Sequence, residues 1–143
     1  DWSQVGGSPG RIVLNSRETS SGTYVFFQEH VLGKGVPFAS NTMLQPATSQ
    51  IVQTVAQDKG GIGYVGLGYV TDAVKAVPLK QSDDTPAVDG SVENVLNGTY
   101  PLARPLYEYT SGEPTGTAKL WLDWVRGESG QQVVKRLDFV PIK

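Results

Sequence analysis

Apolar residues recur along this chain with two different periods, and the switches between them mark an alternation of strands and helices. Ile12-Val13-Leu14 is a short continuous apolar run, and Arg11 to Asn15 is predicted to be a strand. Before it, Gly6, Gly7, Pro9 and Gly10 crowd the stretch from Trp2 to Gly10 and predict a loop. Tyr24, Val25, Phe27, Val31 and Leu32 then recur at helical spacing, with Gly33 and Gly35 ending the helix. Residues 36–41 read as an irregular connection. Pro46 suits a first helical turn, and Ala47, Ile51, Val52, Val55 and Ala56 form one apolar stripe that stops at Gly60-Gly61. Ile62-Gly63-Tyr64-Val65 predicts a short buried strand. Its glycines mean either that a backbone or ligand comes close, or that the strand packs tightly on the preceding helix.

Further on, Val74 to Leu79 alternates as a strand does, and Gln81 to Asp89 is polar and loop-like. Ser91 to Leu96 predicts a short helix ended by Asn97-Gly98. The Asn97-Gly98-Thr99 triplet has the form of a glycosylation acceptor and is read as chance. Tyr100 to Tyr109 is apolar and extended, but Pro101 and Pro105 have no N–H to give a ladder, so an edge or connecting strand is expected. Pro114 opens a helix whose stripe is Ala118, Leu120, Trp121, Leu122, Trp124 and Val125. Glu128 to Leu137 continues as another helix, with Val133, Val134 and Leu137 inward. At helical spacing beside leucines, Trp121 and Trp124 are expected in the core rather than in a ligand cage. The class is α/β, and no internal repeat or low-complexity tract interrupts it.

Composition narrows the chemistry. A chain of 143 residues is near the size of one domain, enough to bury about two-thirds of its unfolded surface. With 12 Lys+Arg against 14 Asp+Glu there is no basic field for nucleic acid and no acidic tail. Cysteine is absent, which excludes disulfides and thiolate metal sites. The apolar runs span only a few residues, short of the roughly 20 needed to cross a bilayer, so a soluble protein is expected. No leader is visible, and any signal peptide is expected to have been removed or to lie outside this piece. An enzyme needs a base, a nucleophile or metal ligands at workable spacing. His30 stands without a His or Cys neighbour and is expected at the surface, and Asp83-Asp84 lies in a polar loop and is expected to be solvated. The glycines at 61, 63, 66 and 68 fit neither nucleotide-loop spacing. No catalysis, cofactor or metal is predicted.

What remains is anion capture, and it centres on Arg17-Glu18-Thr19-Ser20-Ser21-Gly22-Thr23. The stretch reads as strand, turn and helix start, with Ser20 or Ser21 as the cap. The first turn of a helix carries N–H groups without internal partners and partial positive charge. Arg17 adds a planar, permanently charged fork, Ser21 and Thr23 add hydroxyl donors, and Gly22 lets an anion approach the backbone. Ser-Gly-Thr before an apolar run is also an ordinary helix start. Ser49 and Gln50, at the next helix start, are weaker candidates for the same cleft.

Arg17-Glu18-x-x-Ser21-Gly22-Thr23 before an aromatic-rich helix resembles the signature of the phosphate-binding proteins of bacterial phosphate-specific ABC transporters. Further matches stand in the same order: Trp2 with Val5-Gly6-Gly7, Gly61 to Leu67, Tyr100 to Tyr107, and Phe139-Val140-Pro141 after a Gly130-Gln131 helix. The resemblance implies a three-layer lobe of a two-lobed type II periplasmic binding protein, with residues 1–99 as a partial anion-binding lobe. Residues 100–143 would be the return strand and carboxy-terminal helices, packing towards the other lobe. It implies phosphate held by Arg17, Ser21, Gly22 and Thr23, with Glu18 and Thr19 in support, and delivery to an ABC permease in the periplasm or outside the cell. It also implies that this chain is roughly the second half of such a protein, or a relative that receives its amino-terminal half separately.

Several members of that family carry an acid two positions after the arginine, where this chain has Thr19, and the acid stands instead at Glu18. A phosphate that keeps a proton needs an acceptor beside the donors, so Glu18 is expected to be that acceptor, to orient Arg17, or to face solvent, with orientation ranked first. Strand edges near Ile12 or Tyr100 are expected to lie open to a second copy of the chain. Two other classes stay in view: an extracellular interaction or adhesion domain that reuses the scaffold without an anion, and, ranked third, a phosphate-ester-handling enzyme.

Overall fold

The computed structural model describes residues 1–137 and 139–142. The chain forms two compact units, Asp1–Lys75 and Ala76–Lys143.

The first unit is built on three parallel strands, β1 (Val13–Arg17), β2 (Met43–Gln45) and β3 (Gly61–Gly63), in the order β2-β1-β3. Parallel neighbours require a crossover. One is α1 (Gly22–Phe27), continued by a π-helical stretch Gln28–Leu32; the other is α2 (Thr48–Gln57). β3 pairs with Val13 to Asn15, while β2 pairs with Asn15 to Arg17. Arg17 is therefore held in the sheet, two residues past the predicted strand end, because the unpredicted β2 lies beside it and Glu18 N–H donates to the Gln45 carbonyl at 3.1 Å.

Packing centres on Ile51 of α2, only 1 % exposed. A Cβ placed on Gly63 would stand 2.5 Å from the Ile51 Cγ2 atom and 3.1 Å from the Asn15 carbonyl oxygen. Of the two sequence readings for these glycines, close packing on the preceding helix is the one this contact supports at Gly63. The stretch expected as a loop from Trp2 contains a 3-10 turn, Trp2–Val5, capped by Asp1. Trp2 fastens it to the sheet, its Nε1–H donating to the Gly60 carbonyl at 3.1 Å.

In the second unit, the strand expected from Val74 to Leu79 reduces to one antiparallel bridge, Leu79 to Val88. Pro78 has no N–H to donate, and no second pair extends the bridge among the described residues. α3 (Val92–Leu96) is capped by Ser91, whose Oγ accepts from Asn94 N–H at 3.1 Å. Residues 103–110 are exposed and make no ladder.

α4 (Gly116–Arg126) and α5 (Glu128–Arg136) meet at a sharp corner. A side chain at Gly130 would overlap the Trp124 and Val125 carbonyl oxygens, and Gln131 Nε2 braces the corner by donating to the Val125 carbonyl at 2.8 Å. The expected burial of the α4 tryptophans is overturned: Trp121 is 56 % and Trp124 46 % exposed. Their rings stack on each other, centroids 5.4 Å apart. Leu137, expected inward, is exposed as well. Helical spacing put these residues on a common stripe, but a stripe does not state what covers it.

Candidate functional site

The strand order reverses between β1 and β3, and in open α/β sheets the carboxyl ends of strands at such a reversal are where ligands settle. β1 ends there with Ser16 and Arg17. Ser16 is buried, and its hydroxyl shares a 2.5 Å hydrogen bond with the Tyr64 hydroxyl just past β3. The Tyr64 ring lies flat on Phe27 of α1, centroids 4.0 Å apart and planes within 7°. One aromatic side chain thus ties the end of β1 to α1, which follows the site loop. Burial raises the Tyr64 phenol pKa above its ordinary 10.0, against the opposing pull of the hydrogen bonds at Ser16 and at the Arg17 backbone.

The loop from Glu18 to Ser21 is a tight turn closed by Ser21 N–H on the Glu18 carbonyl at 3.0 Å. Ser21 is the N-cap of α1, extended at φ −77° and ψ 127°, and its Oγ accepts from Thr23 N–H at 3.2 Å. The cap is itself buried, while Gly22 beside it is exposed. Thr23's backbone donor is thus spent on the cap, whereas the Gly22 N–H has no hydrogen-bond partner among the described residues. The donors left at this turn and helix start include the Gly22 N–H and the hydroxyl protons of Ser21 and Thr23.

Arg17 reaches away from its own loop to the start of α2. Its Nη1 donates to Thr48 Oγ1 at 2.8 Å and its Nη2 to the Pro46 carbonyl at 3.2 Å. Pro46 stands before the N-cap Ala47 rather than inside the helix, which leaves its carbonyl pointing out of the helical ladder. The Arg17 Nε is buried and has no partner among the described residues. A guanidinium has five N–H donors, so with Nε buried one further donor on each of Nη1 and Nη2 remains uncommitted.

Glu18 does not orient Arg17. Its carboxylate accepts from Ser20 Oγ at 3.0 Å, and the only ion pair among the described residues is Lys119 with Asp123. Thr19 is exposed beside it, and Ser49 and Gln50 are exposed at the start of α2. Sequence reasoning missed Thr48, Pro46, Ser16 and Tyr64. The contacts from Arg17 to α2 and from Ser16 to Tyr64 span 31 and 48 residues, and no local pattern signals them. His30 is exposed as expected, its ring tilted 34° against Phe26, and the described residues contain no cluster of His, Cys, Asp or Glu able to hold a metal ion. No described helix is long and apolar enough to cross a membrane.

Comparison with known proteins agrees with this architecture. Residues 1–129 match the family model of the PBP superfamily domain. The chain is similar to the phosphate-binding protein PstS of Pseudomonas aeruginosa, 39 % identical over 135 residues, covering 92 % of this chain and 42 % of that protein. It is 31 % identical to the phosphate-binding protein PstS of Bacillus subtilis over 144 residues, covering 99 % of this chain and 45 % of that one. Among solved structures, a Clostridium perfringens protein described as a phosphate ABC transporter substrate-binding protein with bound phosphate superposes with TM-score 0.82 at 33 % identity. The match covers 100 % of this chain and 57 % of that one. A phosphate-binding protein of a Streptococcus pneumoniae phosphate ABC transporter matches with TM-score 0.79 at 29 % identity, over 94 % of this chain and 52 % of that one. The chain thus spans somewhat less than half the length of these curated relatives. With a parallel α/β sheet, a capped helix start beside a strand-end arginine, and a family match over most of its length, this chain belongs to the PBP superfamily domain family.

Proposed function

We propose that this chain supplies one wall of an inorganic phosphate site in the solute-binding component of an ABC import system. One observation carries the reading: Arg17 at the end of β1 and the Ser21-capped start of α1 stand on one continuous strand-turn-helix, with the Gly22 N–H unpartnered. In this reading Arg17 clamps oxygens, Gly22 donates from its backbone, and Ser21 and Thr23 donate from their hydroxyls. Glu18 and Thr19 border the site. Residues 1–99 serve the anion and residues 100–143 serve the connection to an amino-terminal half that completes the site. A relative named as a binding protein of a phosphate transporter supports a location in the periplasm or outside the cell, delivery to an ABC permease, and binding without catalysis. The stretch expected to offer an edge near Tyr100 forms no strand and β1 is the central strand, so pairing of two copies enters the same proposal only at the outer strands β2 and β3.

Energetics set the expected strength. A hydrogen bond to a charged group contributes about 1.5–3 kcal/mol net, while micromolar affinity needs about 8 kcal/mol. One wall open to water should therefore bind inorganic phosphate weakly, with Kd of roughly millimolar order. Calorimetry on this chain tests it. Millimolar binding that weakens in both Arg17→Ala and Ser21→Ala is the expected result, and submicromolar binding would refute the single-wall picture. Should phosphate, sulfate and molybdate all leave the melting temperature unmoved, the scaffold serves as an interaction or adhesion domain instead.

A further inference from the structure

The arginine at the centre of the site is aimed by a group outside its own loop. Its terminal nitrogens are held by the Thr48 hydroxyl at 2.8 Å and the Pro46 carbonyl at 3.2 Å. Both acceptors lie just past Gln45, the residue that pairs with Arg17 in the β1–β2 ladder. The backbone register that places Arg17 therefore also places the acceptors for its side chain. Thr48 is not consumed as a cap, since the N-cap of α2 is Ala47, which makes no side-chain hydrogen bond. Its hydroxyl remains free to accept from the guanidinium.

The chemistry of these acceptors matters. A carboxylate would orient a guanidinium and neutralise much of its field at the same time, because opposite charges within a few ångströms attract strongly. A hydroxyl and a carbonyl orient it through dipoles alone, so the full positive charge stays available to an anion. Glu18, the nearest carboxylate in sequence, is engaged by Ser20 instead.

We propose that Thr48 is the positioning residue of the anion site, its hydroxyl fixing the direction of the Arg17 guanidinium without discharging it. This rests on the phosphate-binding reading above. Titration of inorganic phosphate into this chain, with melting temperatures measured alongside, provides the test. Thr48→Val, which keeps the shape and removes the hydroxyl, should weaken phosphate binding about tenfold, the loss of one hydrogen bond to a charged group. Thr48→Ser should restore it to within about twofold of the parent, the mark of a hydroxyl effect rather than of packing at the start of α2. Thr48→Ala serves as the hydroxyl-free variant if the valine chain fails to fold. Parent-like affinity in the hydroxyl-free variant, or failure of Thr48→Ser to recover it, overturns this inference alone. A parent chain that binds no phosphate overturns the underlying reading first.

Discussion

The two units of this chain handle their nonpolar side chains in contrasting ways. In Asp1–Lys75, Ile51 is sealed between α2 and the sheet, Trp2 is pinned to Gly60, and Phe27 lies flat against Tyr64. In Ala76–Lys143, Leu120, Trp121, Trp124, Leu106, Tyr107 and Tyr109 are all exposed, and the local contacts are the Ser91 cap of α3 and the glycine corner between α4 and α5. The difference teaches that amphipathic patterning and burial are separate facts. Both units carry helical apolar stripes, but among the described residues only the first contains a sheet to cover one. The second leaves these aromatic side chains uncovered, in a chain that spans 42–45 % of the length of its curated relatives.

The largest expected effect that would break this contrast is at Ile51. Ile51→Ala should destabilise the first unit by about 2–5 kcal/mol, the range for a fully buried aliphatic side chain. Urea unfolding followed by circular dichroism measures it, and a loss below about 1 kcal/mol would remove the claim that this unit has a true core. Alkaline pH offers a smaller and signed effect. Because folding raises the Tyr64 pKa, the folded chain holds that proton more tightly than the unfolded chain does. Its contribution is fully present below the ordinary tyrosine value of 10.0 and is lost as pH climbs from there through the raised value. Tyr100 is shifted the same way by burial and adds to the trend. Tyr64→Phe should flatten part of that decline in melting temperature; an unchanged profile would separate Tyr64 from it. The smallest effect is expected in the second unit, where Trp121→Ala should cost only about 0.5–1 kcal/mol, essentially the ring-stacking with Trp124. A loss as large as that at Ile51 would show that the tryptophan stripe is structural within this chain.

The strand-turn-helix from Ile12 to Thr23 was legible because each of its signals is local: an apolar run, a serine before Gly-Thr, and helical spacing after it. The α2 stripe and its glycine stop were legible for the same reason. β2 was not, since Met43, Leu44 and Gln45 are too few to establish a period and exist as a strand only through the backbone of β1. Val74 to Leu79 failed in the opposite sense, alternating convincingly with no ladder to join. At the site, the loop residues could be named from sequence, but what Arg17 touches could not. Charge and adjacency pointed to Glu18, and the fold instead brought up a threonine from the start of another helix.

The π-helical stretch after α1 has a consequence of its own. A π turn accommodates one more residue per hydrogen-bonded ring than an α turn does, so Gln28–Leu32 holds a residue of slack between the Ser21 cap and the Gly33 exit. Deleting one residue within Gln28–Leu32 would let this stretch rewind as an α turn. The Glu18–Ser21 turn upstream would keep its rotational phase throughout.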